Sequence, residues 1–128
     1  NSNEQNVAEF VRELTDGRGA DLAFEAVGIP TTFSSAVESV RLGGNVVMVG
    51  NVTKELPMPL QKCVTQQIGL HGSCASAGEY DICLDMIANH MVDVDSIISK
   101  VAPLEDGGQW FDRLYAAEPG LIKVVLKP

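Results

Sequence analysis

An α/β fold, with a parallel sheet covered by helices, is what this sequence predicts, and three observations predict it. Runs that are apolar at nearly every position alternate with segments whose apolar residues repeat at helical spacing. Strands alternating with helices imply right-handed crossovers, which place successive strands parallel and cover the sheet on both faces. With 128 residues, 45% of them hydrophobic and 20% charged, the chain is an ordinary globular one. At this size folding buries about two-thirds of the unfolded surface, so one core is expected.

The elements follow in order. Val7, Phe10, Val11 and Leu14 share one helical face, with Asn6 and Glu9 placed as cap and reciprocal partner. The turn through Asp16, Gly17, Arg18 and Gly19 ends that helix. Residues 21–28 then read as a strand buried on both faces. Pro30 suits a first helical turn, Phe33, Ala36, Val37 and Val40 form the next apolar face, and Gly43 and Gly44 close it. Residues 45–50 make a second apolar strand. A loop through Leu56, Pro57, Met58 and Pro59 leads to a short helix over 60–66 and a third strand over 68–73.

Beyond Ala75 the texture changes. Tyr80, Cys83, Leu84, Ile87 and Met91 predict a longer amphipathic helix, followed by an acidic bend at Asp93 and Asp95. A strand over 99–104, a helix bearing Trp110, Phe111, Leu114 and Tyr115, and a strand over 121–126 complete the chain. Trp110, Phe111 and Tyr115 suit a packing face better than a ligand cage.

Nine basic against seventeen acidic residues leave a formal charge of −8, which repels a phosphate backbone and an anionic lipid surface alike. Neither nucleic acid nor membrane is an expected partner. Cys63, Cys74 and Cys83 are odd in number and lack CxxC spacing, so neither a disulfide framework nor a zinc knuckle is suggested, and a reducing cytoplasm fits. The opening residues carry no secretory signal pattern. The absence of an initial methionine suggests a trimmed or truncated polypeptide.

In an open parallel sheet the ligand crevice lies beyond the carboxyl ends of the strands. Here those ends are Ala26, Val27 and Gly28; Val49, Gly50 and Asn51; and Gly72, Ser73, Cys74 and Ala75. Each is small and carries glycine, which ends strands for structural reasons but also lets a flat ligand approach the backbone. Free main-chain amides and carbonyls there can pair with a carboxamide. Gly17, Arg18 and Gly19 follow a helix and precede a strand, the reverse of a phosphate-binding turn, and read as a turn.

The run Thr15-Asp16-Gly17-Arg18-Gly19-Ala20-Asp21, the strand Phe24-Glu25-Ala26-Val27-Gly28, the segment from Gly43-Gly44 to Val49-Gly50, the strand from Leu70 to Ser73 and the closing Lys123-Val124-Val125-Leu126 resemble medium-chain, zinc-type alcohol or polyol dehydrogenases. The order of motifs matches over essentially the whole chain. Trp110-Phe111-Asp112-Arg113-Leu114-Tyr115 resembles sorbitol or L-iditol dehydrogenase-like members.

The resemblance implies the second half of a Rossmann-type sheet over residues 1–74, the nicotinamide side of a dinucleotide-binding domain. Residues 75–128 would be a helix-strand segment of the catalytic domain. It implies that backbone atoms of Val49, Gly50, Asn51, Ser73 and Ala75, with Cys74 between them, bind the nicotinamide carboxamide of NAD or NADP. Ala26 and Val27, beside Gly28, would flank the riboses, and Lys123 would touch the pyrophosphate. Lys123 also reads as an ordinary solvated lysine. The family's GxGxxG turn, its ribose-reading residue and its Cys, His and Glu zinc ligands are absent and would precede Asn1. The segment is therefore expected to be inactive alone and to bind NAD weakly, whereas the parent protein oxidises a small alcohol or polyol. Two alternatives stand beside this: a free-standing, non-catalytic binding or interaction module, and a zinc-free quinone reductase relative.

Other polar residues have structural readings. His71 lies within a strand and His90 ends a helix; neither is expected to ligate a metal. Cys74 has no basic neighbour in sequence to stabilise a thiolate. Glu25, within an apolar strand, is costly to bury unless hydrogen-bonded, and a structural role is expected. If a preceding strand is missing, the strand over 21–27 exposes an apolar edge. Self-association is then expected through it or through the strand over 68–73, as a homodimer or homotetramer.

Overall fold

Residues 4–128 are described, in a computed structural model of the chain. They form two compact units, one extending to Ala75 and the other comprising Ser76–Pro128.

The first unit begins with α1, Val7–Glu13, whose start is set by Asn6: its Oδ1 accepts the amides of Ala8 and Glu9 at 3.0 and 3.2 Å. Such a cap contributes about 1 kcal/mol. The following turn runs through left-handed Asp16, Gly17 and Gly19 and is closed by the Gly19 amide donating to Thr15 Oγ1 at 2.9 Å. It delivers the chain into β1, Ala20–Glu25. Helix α2, Pro30–Ser39, starts on a proline whose missing N–H costs nothing there.

Helix α2 stops short of the glycine pair that the sequence suggests as its terminator. Val40 is already extended and opens β2, Val40–Met48. Pairing with β1 decides this: Ala20 is opposite Val40 and Leu22 is opposite Asn45, so the extra residues of β2 bulge out, with Gly43 left-handed at φ +67. The glycines shape a bulge in a strand, not a helix end. After α3, Leu60–Thr65, comes β3, Gly69–Gly72. The sheet has the order β1-β2-β3 with both pairings parallel, so β2 is central.

The main core sits on one face of this sheet. Phe33, Ala36 and Val37 of α2 meet Val40 and Val46 of β2, with Cys63 and Ile68 beside them and Ala23, Met48, Leu56 and Leu70 at the margin. Val37 and Val46 are fully buried, each contributing about 1.5–3 kcal/mol. Strand alternation sends Leu22 and Phe24 to the opposite face, where they are 45% and 68% exposed. The burial on both faces expected for β1 is thus met on one. An apolar groove lined by Val7, Val11, Leu22, Phe24 and Ala36 runs beside it.

In the second unit, α4 spans Tyr80–Ala88 and buries none of its residues. It ends before Met91 because His90 turns left-handed at φ +54. A 3-10 turn, Asp95–Ile97, leads to β4, Ile98–Pro103; a second, Leu104–Asp106, leads to α5, Gly107–Tyr115; then β5, Lys123–Lys127, pairs parallel with β4. This βαβ unit has buried residues of its own, Ala102, Gly107 and Trp110. Arg113 lies 4.1 Å above the Trp110 ring and donates twice to Glu118, at 2.5 and 2.6 Å. Phe111 and Tyr115 are 71% and 95% exposed, so of the three aromatic residues only Trp110 packs inward. The helical step of about 100° per residue turns positions 111 and 115 away from the face of 110.

The open edge of β1, with Leu22 and Phe24 beside it, is expected to drive self-association of the 128-residue chain. Sedimentation velocity should show a concentration-dependent dimer or larger species, weakened by Phe24→Lys. A monomer at high concentration would contradict this.

Candidate functional site

Three adjacent parallel strands end on the same side of the first sheet, and their ends are tied to one another through backbone atoms. Gly28, left-handed at φ +86, has no room for a side chain: a Cβ there would press on the Gly50 carbonyl carbon and the amides of Asn51 and Val52. A Cβ at Gly50 would in turn collide with the amide of Gly28 and the backbone of Val27. The two glycines therefore serve the mutual approach of two chain segments. Neither their size nor their spacing alone announces this, because the two positions are far apart in sequence.

Glu25 binds this junction together. Its main-chain carbonyl accepts the amides of Val49 and Gly50 at 2.7 and 3.0 Å. Its carboxylate, 3% exposed, turns back over its own strand end. There it accepts the Val27 amide at 3.0 Å, the Gly28 amide at 2.9 Å on each oxygen, and the Thr32 hydroxyl at 2.6 Å. Burial pushes the Glu25 carboxyl up, but the Thr32 hydroxyl and the Gly28 and Val27 amides outweigh it and hold the group below its ordinary value. The structural role expected for Glu25 is visible in these bonds. Thr32 and Thr53 are residues the sequence did not single out. The Thr53 amide and hydroxyl both donate to the Gly28 carbonyl, at 3.0 and 2.5 Å.

These bonds decide which polar groups at the strand ends remain available. The amides of Val27, Gly28, Val49 and Gly50 are consumed, as are the Gly28 carbonyl and the Ser73 amide, which donates to Met48 at 2.9 Å. Among the described residues, the carbonyls of Val27, Val49, Gly50, Asn51 and Ser73 and the amides of Asn51, Cys74 and Ala75 take no hydrogen-bond partner within the chain. Ala26, Val27, Val49 and Asn51 are exposed, as are Ser73, Cys74 and Ala75, whereas Gly28 is buried and Gly50 half-buried. Ala75 is left-handed at φ +53. The arrangement is an apolar, backbone-lined edge carrying both donors and acceptors, suited to a flat ligand with an amide group.

Nine of the ten residues expected at a site thus stand at the carboxyl ends of β1, β2 and β3. The tenth, Lys123, lies in the second unit, exposed at the start of β5 opposite Ile98. An open cavity lined by Pro30, Thr31, Ser34, Ser35, Pro57 and Pro59 contains none of the ten. The segment over 17–19 is a turn, with Arg18 paired to Asp21. His71 Nε2 meets Asn45 Oδ1 at 2.9 Å, a bond between β3 and β2. Among the described residues, no three His, Cys, Asp or Glu side chains converge to hold a metal ion, and no helix is long and apolar enough to cross a membrane.

Two consequences can be measured. Gly50→Ala is expected to lower stability by about 1–3 kcal/mol, the usual cost of forcing atoms into packed space, as read from the denaturant midpoint. Because the Glu25 carboxyl is held below its ordinary value of 4.5, its stabilisation is present above that pH. It is lost as pH falls through the lowered value of the folded state. Acid unfolding of Glu25→Gln should therefore have a shallower pH dependence in that range; an identical slope would exclude the linkage.

Known proteins share the sequence pattern and the fold of this chain. The profile of a family described as zinc-binding dehydrogenase matches residues 1–92. Sorbitol dehydrogenase of Bacillus subtilis is 28% identical over 129 aligned residues, covering 100% of this chain and 36% of that protein. Among solved structures, the alcohol dehydrogenase TADH from Thermus sp. ATN1 superposes with a TM-score of 0.87 at 31% identity, covering 100% of this chain and 37% of its own. The 2R,3R-butanediol dehydrogenase of Bacillus subtilis gives 0.84 at 25% identity, covering 98% and 35%. The chain therefore spans little more than a third of the length of these relatives.

Proposed function

The chain belongs to the zinc-binding dehydrogenase family, and on that premise we propose that it forms the nicotinamide-side wall of an NAD(P)-dependent alcohol or polyol dehydrogenase. The parallel sheet with flanking helices is the Rossmann-like architecture of a dinucleotide-binding domain. The observation that carries the proposal is the set of unpartnered backbone groups at the three strand ends, the carbonyls of Val49, Gly50 and Ser73 and the amides of Asn51, Cys74 and Ala75 among them. A carboxamide presents two N–H donors and one acceptor oxygen, which such a set can meet without a charged side chain.

In this reading Ala26, Val27 and Gly28 line the ribose side. Val49, Gly50, Asn51, Ser73, Cys74 and Ala75 orient the nicotinamide ring. The bound dinucleotide supplies the hydride acceptor. The chain's own part is to hold the ring and exclude water with Val27 and Val49. The described residues do not fit a zinc ion, and no step assigned to them runs through one. The parent protein's substrate is proposed to be a small alcohol or polyol. Its zinc ligands would lie outside this chain, it would work in the cytoplasm, and it would assemble as a homodimer or homotetramer. The sorbitol and butanediol activities named for two relatives support the choice of polyols.

The test uses the full-length protein with a panel of alcohols and polyols, following nicotinamide reduction. Turnover of a secondary alcohol or polyol is expected. The 128-residue chain alone should bind NAD only weakly by calorimetry. Tight binding by that chain would overturn the expectation of weak binding, and a full-length protein with no nicotinamide-linked activity would overturn the reading.

A further inference from the structure

Glu25 is a charged group placed where the chemistry proposed above does not call for one. Its carboxylate is 3% exposed, lies at the carboxyl end of β1, and points back into the chain instead of into the crevice. An ion so placed is costly unless each oxygen is satisfied, and here both are, by Val27, Gly28 and Thr32. The Val27 and Gly28 amides are consecutive donors in a sharply turned segment, a concave arrangement that suits an anion. A glutamine in the same place would turn its own N–H groups toward one of them.

The consequences of this contact extend past β1. Gly28 rests against the backbones of Gly50, Asn51 and Val52, and its carbonyl takes both donors of Thr53. The main-chain carbonyl of Glu25 meanwhile holds Val49 and Gly50. One residue thus governs the turn at the end of β1 and the path of the chain leaving β2. By consuming four amides it leaves the Asn51 amide, with the carbonyls of Val49, Gly50 and Asn51, unpartnered after β2.

We propose that Glu25 is a positioning residue for the dinucleotide. Its carboxylate, tied to Val27, Gly28 and Thr32, keeps the ends of β1 and β2 in the conformation that presents Val49 and Asn51 to the ligand. This rests on the dinucleotide reading given above. Glu25 itself touches neither ligand nor reacting atoms, and Thr32 acts with it by fixing one carboxylate oxygen.

The experiment compares the full-length wild type with Glu25→Gln and Thr32→Val. Each is titrated with NAD(H) and NADP(H) by fluorescence, well below its melting midpoint and with folding verified by circular dichroism. Glu25→Gln should raise the dinucleotide Kd about tenfold and Thr32→Val about threefold, the scale of hydrogen bonds to a charged group. In wild type, the Val27 and Gly28 amide resonances should move on adding dinucleotide, and in Glu25→Gln they should start displaced. If Glu25→Gln does not fold, Thr32→Val decides. Folded variants with wild-type Kd and a lowered melting midpoint would overturn the proposal and reduce Glu25 to a structural residue. A wild-type protein that binds neither dinucleotide would instead overturn the functional reading on which it rests.

Discussion

The close approach of two backbones at Gly28 and Gly50 is the constraint on which the carboxyl edge of the first sheet is built. Neither position tolerates a Cβ, and the segments they belong to are bonded through the carbonyl of Glu25 and the donors of Thr53. Everything that makes the edge usable follows from this contact. The strand ends lie side by side, with the amides of Val27, Gly28, Val49 and Gly50 bonded to Glu25 and that of Ser73 to Met48. The unpartnered carbonyls and amides beside them lie mostly on exposed residues, open to water or to a ligand.

The same economy explains why a carboxylate sits in an apolar strand. The turn after β1 leaves two successive amides without a strand to pair with, and a neutral acceptor would satisfy them less strongly than an ionised one. Glu25 supplies that acceptor from three residues away at most, and Thr32 at the start of α2 completes its shell. The helix and the strand are thereby locked at the point where the sheet meets the crevice. Such a device makes local backbone geometry depend on a charge, so the conformation of this turn and acid stability are linked through one group.

The first unit is well packed on one side only. The α2 face against β2 forms a dense cluster around Val37 and Val46, while Leu22, Phe24 and the edge of β1 are left open. Membership of a family whose relatives are nearly three times as long fits a surface of this kind, since apolar sheet faces and unpaired edges call for cover. The second unit repeats the theme: α4 buries nothing within the chain, and only Trp110 of the aromatic residues on α5 turns inward.

Much of this was legible in the residues. The alternation of apolar runs and helical periods announced a parallel α/β sheet, Asn6 and Pro30 marked two helix starts, and small residues marked the ends of three strands. Those features depend on neighbours in sequence, where spacing and residue type act directly. The extension of β2 back to Val40 was decided by pairing with Ala20, across a separation that no local propensity reports. Which aromatic residues pack, and which of the two faces of β1 is covered, depended on what lies opposite them in space. The use of Gly28 and Gly50 for each other, and of Glu25 for both, likewise emerged only when strands distant along the chain were brought together. Composition and periodicity thus determined the class of fold and the residues at the strand ends. Tertiary contact decided which backbone atoms on that edge are left free, because a hydrogen bond is assigned by distance in space and not by order in the chain.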